Sequence, residues 1–116
     1  MTWHRCASRD DLWPGVPLPI QIDEKSIALY RLGERVFATS NVCTHEEAWL
    51  SEGYVDGDCI ECPLHGAIFH IPTGEVRGGP VDKGIETYAV RVDGEEVFVD
   101  VDAIGAAGAP IAGSGA

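Results

Sequence analysis

Two short segments of the chain each contain one cysteine and one histidine. The first reads C-T-H from Cys43 to His45, and the second reads C-P-L-H from Cys62 to His65. Both lie in stretches without a strand or helix period, which predicts loops. Two thiolates and two imidazoles suit either a zinc site or an iron–sulfur cluster. The pattern therefore predicts a metal centre whose four ligands come from two loops.

The way the ligands are divided between the segments favours a cluster over zinc. A zinc finger usually takes two cysteines from one segment, whereas a two-iron cluster can bind both cysteines on one iron and both histidines on the other. Zinc remains an alternative, because Cys59 and Cys62 form a C-x-x-C pair. Otherwise Cys59 and Cys6 are expected to be small apolar fillers, and His4 and His70 to be packed or surface residues.

Length and composition indicate one small domain. A chain of 116 residues can bury a modest core, and 14 glycines with 7 prolines favour short strands joined by loops. The net charge of −11 makes nucleic acids and anionic membranes poor partners, because both are negatively charged. No signal peptide or membrane span is apparent, so a cytoplasmic location is expected.

Alternating apolar and polar residues predict hairpins on both sides of the two segments. Strands are predicted over residues 1–7, 18–22, 26–32, 35–40, 59–62, 67–71, 85–92 and 96–101. Residues 41–58 and 74–84 lack a clean period and are predicted to be loops. The fold class is therefore all-β, with residues 103–116, rich in Ala and Gly, as a flexible C-terminal tail.

The two segments and their neighbours resemble a known family. The string CTH, followed by LSEGYVDGDCIECPLHGAIFHIPTGEV, is similar to the Rieske-type ferredoxins of bacterial aromatic-ring dioxygenase systems. The resemblance covers residues 1–102. It implies the Rieske fold, with three stacked antiparallel β-sheets and a small loop-rich subdomain that binds one [2Fe–2S] cluster. By motif position, the resemblance implies that Cys43 and Cys62 would bind the buried iron, and that His45 and His65 would bind the outer iron.

The resemblance also implies what the protein does. It would be a soluble, monomeric one-electron carrier between a flavoprotein reductase and a terminal oxygenase, without enzymatic activity of its own. An electron leaving the outer iron needs a partner close by, so the partners are expected to dock near the cluster. Trp49 is predicted to be an exposed apolar anchor there, and Glu46 and Glu47 to steer the chain towards a basic surface.

Two other functions share parts of the pattern. The small subunit of a nitrite reductase has the same fold, although that family often lacks the four ligands. A zinc-stabilised interaction module without a redox role would need only the metal-binding segments.

The resemblance further implies a low reduction potential. The high-potential members of the family have a disulfide at the positions of Ala48 and Leu64. They also have serine and tyrosine hydroxyls at the positions of Ala67 and Phe69, which hydrogen-bond to cluster sulfur. Because such bonds stabilise the reduced cluster, their absence lowers the potential.

Glycines near the ligands carry a further expectation. Gly66, next to His65, is predicted to allow close approach of the backbone to the metal centre, whereas Gly53 and Gly57 are predicted to be ordinary turn glycines. Residues 77–80 resemble the third loop that covers the cluster in this family.

Overall fold

The computed structural model describes part of the chain in detail. The described residues are 3–43, 48–64, 66–79, 81, 83–102 and 109–110. The predicted ligands His45 and His65 lie outside them, as do the predicted docking residues Glu46 and Glu47, and Pro80 of the third loop.

Within these ranges the fold consists of short antiparallel strands, which confirms the all-β prediction. In chain order they are β1 His4–Ser8, β2 Leu18–Ile22, β3 Lys25–Leu32, β4 Arg35–Ser40, β5 Tyr54–Asp56, β6 Cys59–Glu61, β7 Ile68–His70, β8 Val76–Gly78, β9 Thr87–Asp93, β10 Glu96–Asp100 and β11 Ala109–Pro110. Short 3₁₀ turns cover Arg9–Asp11 and Leu50–Glu52. No described helix has the length and apolar character that crossing a membrane requires.

The larger sheet has the order β1-β10-β9-β4-β3-β2, with β11 added beside β4. Gly33 and Gly94, at φ +61° and +62°, form the tight turns of the β3–β4 and β9–β10 hairpins that the sequence predicts. The resemblance implied three stacked sheets. In this structure β9 pairs with both β10 and β4, so one hydrogen-bonded sheet replaces two of them.

The smaller sheet has the order β5-β6-β7-β8 and forms the subdomain that contains the second cysteine segment. Its edge strands β5 and β8 lie in the regions 41–58 and 74–84, which the sequence analysis predicted to be loops. The prediction was wrong for these six residues, because a strand of three residues is too short to show a period of two.

The β3–β4 hairpin is buried on both faces and therefore joins the two sheets. Side chains alternate along a strand, so Ala28 and Tyr30 point into the core shared with the small sheet, while Ile27 and Leu29 point into the core of the large sheet. The Tyr30 hydroxyl is satisfied by Thr39 Oγ1 at 2.8 Å. The core under the two cysteine segments thus reaches the main body of the fold through this hairpin.

The C-terminal tail pairs with the large sheet at one point. β9 pairs with β4 only at Ala38 and Thr39, and Ala109–Pro110 pairs with Val36 and Arg35 on the next part of that strand. The remainder of the predicted tail, residues 103–108 and 111–116, lies outside the described residues.

Candidate metal centre

The two cysteines begin loops of matching backbone geometry. The Cys43 N–H donates to the Ala48 carbonyl at 3.0 Å, and the Cys62 N–H donates to the Ala67 carbonyl at 2.7 Å. In each case the bond joins the cysteine to the residue five positions later. In the sequence, the predicted ligands His45 and His65 fall between the two residues that each of these hydrogen bonds joins.

Both cysteine side chains lie in the same apolar core. Cys43 is 3% exposed and Cys62 is 1% exposed, and they share one hydrophobic cluster with Ala48, Ala67 and Phe69. Neither is part of a disulfide. The fold therefore brings two thiols from distant segments into one buried core cluster that water does not reach.

The first loop is anchored by Asn41, which sequence analysis did not identify. Asn41 is 2% exposed, its N–H donates to the Ser26 carbonyl at 3.0 Å, and its Nδ2 donates to Ser26 Oγ at 3.1 Å. Its carbonyl accepts from the Leu50 N–H, and its Oδ1 accepts from the Ser51 N–H, both at 2.7 Å. The backbone and the side chain of Asn41 thus connect Ser26, at the start of β3, to Leu50 and Ser51, which follow the first loop. The available signal was a polar amide two residues before a candidate ligand.

The third segment, residues 77–79 of the described chain, lies against the second loop, while its predicted role in covering the cluster stays a prediction. A Cβ on Gly79 would lie 2.6 Å from Ala67 Cα and 2.7 Å from the Gly66 carbonyl oxygen, so the two backbones are in direct contact. Gly66 itself has φ +69°, and of the described residues only the Glu61 side chain comes within 4 Å of its Cβ position. At position 66, glycine is therefore favoured by the left-handed backbone conformation alone. At position 79, glycine is favoured both by a φ of +88° and by the close contact with the second loop.

The prediction for Gly53 was wrong. Gly53 has an ordinary φ of −88°, but a Cβ there would lie 2.0 Å from the Glu61 carbonyl oxygen. It is a close-approach glycine where β5 pairs with the strand that leads to Cys62. Gly57, at φ +62° with open space around it, is the turn glycine that was predicted.

The other cysteines lie away from the site. Burial alternates from Cys59 through Ile60 and Glu61 to Cys62, which places Cys59 on the outer face and Cys62 on the core face. The C-x-x-C pair therefore diverges, as it would not in a zinc site. Cys6 lies on β1, where its thiol donates to the Val97 carbonyl at 3.4 Å and burial raises its pKa to about 11.

Apolar side chains are exposed around the first and second loops. Val42 and Trp49 pair across an antiparallel bridge at the neck of the first loop and are 42% and 49% exposed. Leu64, in the second loop, is 46% exposed. These three residues are called the tip surface below. The structure confirms the prediction that Trp49 is exposed. His45, next to which Trp49 was predicted to lie, is outside the described residues.

Comparison with known proteins identifies the family. The family model described as the Rieske [2Fe–2S] domain matches residues 2–89, which include both cysteine segments. The chain belongs to the Rieske [2Fe–2S] domain family. Its cofactor is therefore one [2Fe–2S] cluster. Two buried thiols at the bases of matching loops fit that group, because a Rieske cluster takes two cysteines on one iron.

The match to individual relatives covers almost their whole length. The ferredoxin component of the naphthalene 1,2-dioxygenase system of Pseudomonas putida is 36% identical over 99 residues, which are 85% of this chain and 95% of the relative. The solved Sphingomonas yanoikuyae B1 ferredoxin superposes with a TM-score of 0.82 at 35% identity, covering 85% of this chain and 98% of that one. A ferredoxin solved in complex with the oxygenase of carbazole 1,9a-dioxygenase superposes with a TM-score of 0.79 at 36% identity, covering 84% and 100%. The Rieske fold predicted from the motif is confirmed.

Proposed function

We propose that this Rieske protein carries single electrons from a flavin-containing reductase to the terminal oxygenase of an aromatic-ring dioxygenase system. The relatives are named as ferredoxin components, which are electron-transfer subunits and not enzymes. The observation that carries the proposal is the pair of matched loops with both cysteines buried in one core cluster.

The proposed ligands are Cys43, His45, Cys62 and His65. Cys43 and Cys62 are buried, which suits the inner iron, and the histidines follow them within the closed loops. When bound, the cluster supplies a one-electron couple whose potential depends on its ligands and surroundings. The buried core around the thiols excludes water from that side of the site.

Contacts other than those of the proposed ligands hold the two cysteine loops in place. The backbone closures at both cysteines, the Asn41 bonds to the first loop and the contact of Gly79 with the second loop all involve buried or closely packed groups. A closely packed frame changes little when one electron is added, because packed interiors resist small displacements. This rigidity favours a carrier that is oxidised and reduced repeatedly.

The partners are proposed to dock on the tip surface. An apolar tryptophan is a residue type that dominates binding at interfaces, and Trp49 is exposed at the neck of the first loop. Glu46 and Glu47 follow in that loop, and a chain of net charge −11 is attracted to a basic partner surface. Both the reductase and the oxygenase are proposed to present such a surface.

A cytoplasmic, monomeric protein is proposed as the working form. None of the four cysteines, all of which are described, forms a disulfide, and disulfides are rare in a reducing compartment. Size-exclusion chromatography with light scattering on the purified protein measures the mass directly.

The test of the function uses the purified holoprotein with a flavin reductase and an oxygenase component. Iron and acid-labile sulfide are expected at about two each per chain. Reduction by the reductase and reoxidation by the oxygenase are followed in the visible spectrum by stopped flow. A colourless protein containing zinc, or a cluster that the reductase cannot reduce, would refute the proposal.

The ligand assignment is tested separately. Cys43→Ser, Cys62→Ser, His45→Ala and His65→Ala are each expected to abolish the cluster spectrum and lower the unfolding temperature, because ligand binding contributes to folding. Cys59→Ser is the matched control, since Cys59 points away from the core, and it is expected to retain the spectrum. Loss of the cluster in Cys59→Ser contradicts the assignment.

A further inference from the structure

Trp49 occupies a backbone position at which another residue type is usually found. It is the N-cap of the 3₁₀ turn Leu50–Glu52, with extended backbone at φ −91° and ψ 118°, and its side chain makes no capping hydrogen bond. The first N–H groups of a helical turn have no partner within the turn, and a serine, threonine, aspartate or asparagine at the N-cap normally accepts from them. An indole ring has only a donor and cannot do so. The turn after Trp49 therefore needs an acceptor from elsewhere.

Asn41, on the other side of the first loop, supplies that acceptor. Its carbonyl oxygen accepts from the Leu50 N–H and its Oδ1 accepts from the Ser51 N–H, both at 2.7 Å. The Glu52 N–H donates to the Trp49 carbonyl at 3.0 Å, which is the bond that the turn makes within itself. The first two N–H groups of the turn are thus both bonded to Asn41, whose side chain takes the place of an ordinary N-cap.

The Asn41 amide group is itself held in one orientation. Asn41 is 2% exposed, and its Nδ2 donates to Ser26 Oγ at 3.1 Å while its Oδ1 accepts from Ser51. Rotation of the amide group by half a turn would place the donor against the Ser51 N–H, so the capping bond would be lost. The acceptor is therefore fixed before any partner binds.

Apolar packing sets the outward direction of the Trp49 ring. Ala48 and Leu50 are both buried in the core cluster on either side of it, while Trp49 itself is half exposed. Val42 pairs with Trp49 across the bridge at the neck of the loop. These contacts lie before the turn or at its first residue, so they leave the backbone beyond Leu50 to be held by the turn.

The cap restrains the backbone that follows Trp49. Without the Asn41 side chain, the Ser51 N–H would have to find water, since a polar group that is left unbonded inside a protein has a high cost in free energy. Opening of the turn to water breaks the bond from Glu52 to the Trp49 carbonyl. The Asn41 side chain therefore limits the movement of the Trp49 backbone through the turn.

We infer that Asn41 is a positioning residue for partner docking. By capping the turn from a distance, it leaves the N-cap position open to an exposed tryptophan and holds that tryptophan in one orientation. The inference rests on the proposed function in one respect, namely that Trp49 contacts the redox partners. A side chain that is already ordered loses less conformational entropy on binding, so the affinity for the partner is higher.

The first experiment measures oxygenase turnover at several concentrations of the holoprotein. Asn41→Ala removes the side-chain acceptor and keeps the backbone bond to Leu50. The apparent KM is expected to rise about fivefold with kcat unchanged, since the loss of an N-cap side chain has an effect of about that size. Asn41→Asp retains an acceptor for Ser51 and can accept from the Ser26 hydroxyl, so it is expected to restore most of the lost affinity.

Thr39→Val is the matched control for a loss of stability alone. Thr39 is a fully buried polar residue of β4, and its hydroxyl bonds to the Tyr30 hydroxyl at 2.8 Å and to the Ser40 carbonyl. The substitution is expected to lower the unfolding temperature and to leave the apparent KM unchanged. A rise in KM as large as that of Asn41→Ala would show that Asn41 has only a structural role, and would overturn the inference.

A double-mutant cycle tests whether Asn41 acts through Trp49. If it does, Asn41→Ala combined with Trp49→Ala raises the apparent KM no further than Trp49→Ala alone, because the ring to be positioned is already absent. Additive effects of the two substitutions would overturn the inference. An apparent KM that Trp49→Ala leaves unchanged would refute the docking surface and with it this role, whereas a KM raised by Trp49→Ala but not by Asn41→Ala would refute the inference alone.

Hydrogen exchange measured by mass spectrometry tests the cap without any partner. Exchange of residues 50–52 is expected to be faster in Asn41→Ala than in the unaltered protein. In the Asn41→Ala background, Trp49→Asp supplies an N-cap side chain at the position where the backbone suits one, so it is expected to slow this exchange again, while Trp49→Ala is not. If Asn41→Ala alone does not yield folded holoprotein, the same pair with Trp49→Asp is expected to recover it. Equal behaviour of the aspartate and alanine pairs would overturn the capping role.

Discussion

Single residues set the geometry around the cysteines through close contacts of the backbone. At Gly53 and Gly79 a Cβ would overlap a neighbouring segment, whereas at Gly57 and Gly94 there is open space. The first two positions keep two segments in contact, and the other two only reverse the chain. Substitutions at the two kinds of glycine therefore have different consequences.

Gly79→Ala is expected to displace the third segment from the second loop. The added Cβ meets the Ala67 and Gly66 backbones, which cannot move aside as a flexible side chain would, and φ is +88°. The variant should lose more than 2 kcal/mol of unfolding free energy, roughly the upper cost of a left-handed alanine alone. Thermal unfolding and iron content measure this. Gly94→Ala has the same backbone penalty without the overlap, and an equal loss in both variants would contradict the contact.

Ala67 and Phe69 set the expected reduction potential. Both are fully buried in the cluster of core residues that contains Cys43 and Cys62, and neither has a hydroxyl. Film voltammetry on the protein should give a value in the lower part of the Rieske range of roughly −150 to +300 mV. Ala67→Ser with Phe69→Tyr should raise it, because hydrogen bonds to sulfur stabilise the reduced cluster. An unshifted double variant would show that the sulfur hydrogen bonds do not control the potential.

Elements of three residues at the sheet edges were the part of the fold that sequence could not predict. β5 and β8 each have three residues, and their strand conformation depends on neighbours that are distant or irregular in sequence. The two long hairpins were predicted because alternation and a turn glycine lie within one continuous stretch. The matched closure of the two cysteine loops was likewise invisible, since backbone hydrogen bonds leave no signature in residue type.

The β11 element is expected to stabilise the large sheet without affecting the cluster. Deletion of residues 103–116 removes the pairing with Arg35 and Val36 and should cost about 1 kcal/mol of unfolding free energy for each net backbone hydrogen bond lost. Denaturant unfolding and the visible spectrum measure the two properties. Deletion of residues 111–116 alone keeps the pairing and serves as the control. A stability equal to that of the full chain after the longer deletion would show that the pairing contributes nothing.

At the scale of the whole molecule, exposed tryptophans lie at two separate ends. Trp49 is at the neck of the first loop, which Asn41 ties to Ser26 at the start of β3. Trp13, 68% exposed, precedes Pro14, which forms a bridge with Arg31 near the other end of β3. Five residues of strand separate the two regions by about 17 Å. Of these two exposed tryptophans, Trp49 is the one that lies at a cysteine loop, and it is therefore the one that we propose as a contact for a redox partner.

Trp49→Ala is expected to weaken docking while leaving the cluster intact. Oxygenase turnover at several concentrations of the carrier should show an apparent KM raised about tenfold or more, since truncation of an anchoring tryptophan often costs over 1.4 kcal/mol. Trp13→Ala is the matched control and should behave like the unaltered protein. Equal effects of both substitutions, or none from Trp49→Ala, would exclude the tip surface as the docking site.

The apparent KM of the unaltered protein should also rise with ionic strength, because salt screens the attraction of a chain with net charge −11 to a basic partner surface.

The sequence by itself determined the family, the cofactor and the two long hairpins. These depend on residue types at short spacings, such as a cysteine and a histidine two or three positions apart, which are present before the chain folds. Tertiary structure decided which distant residues support the site. Asn41 meets Ser26, His70 meets Asp58, and Gly79 meets Ala67 only after the sheets have formed. Each of these contacts joins segments at least 12 positions apart, so the pairing of strands within each sheet, which brings those segments side by side, is what creates them.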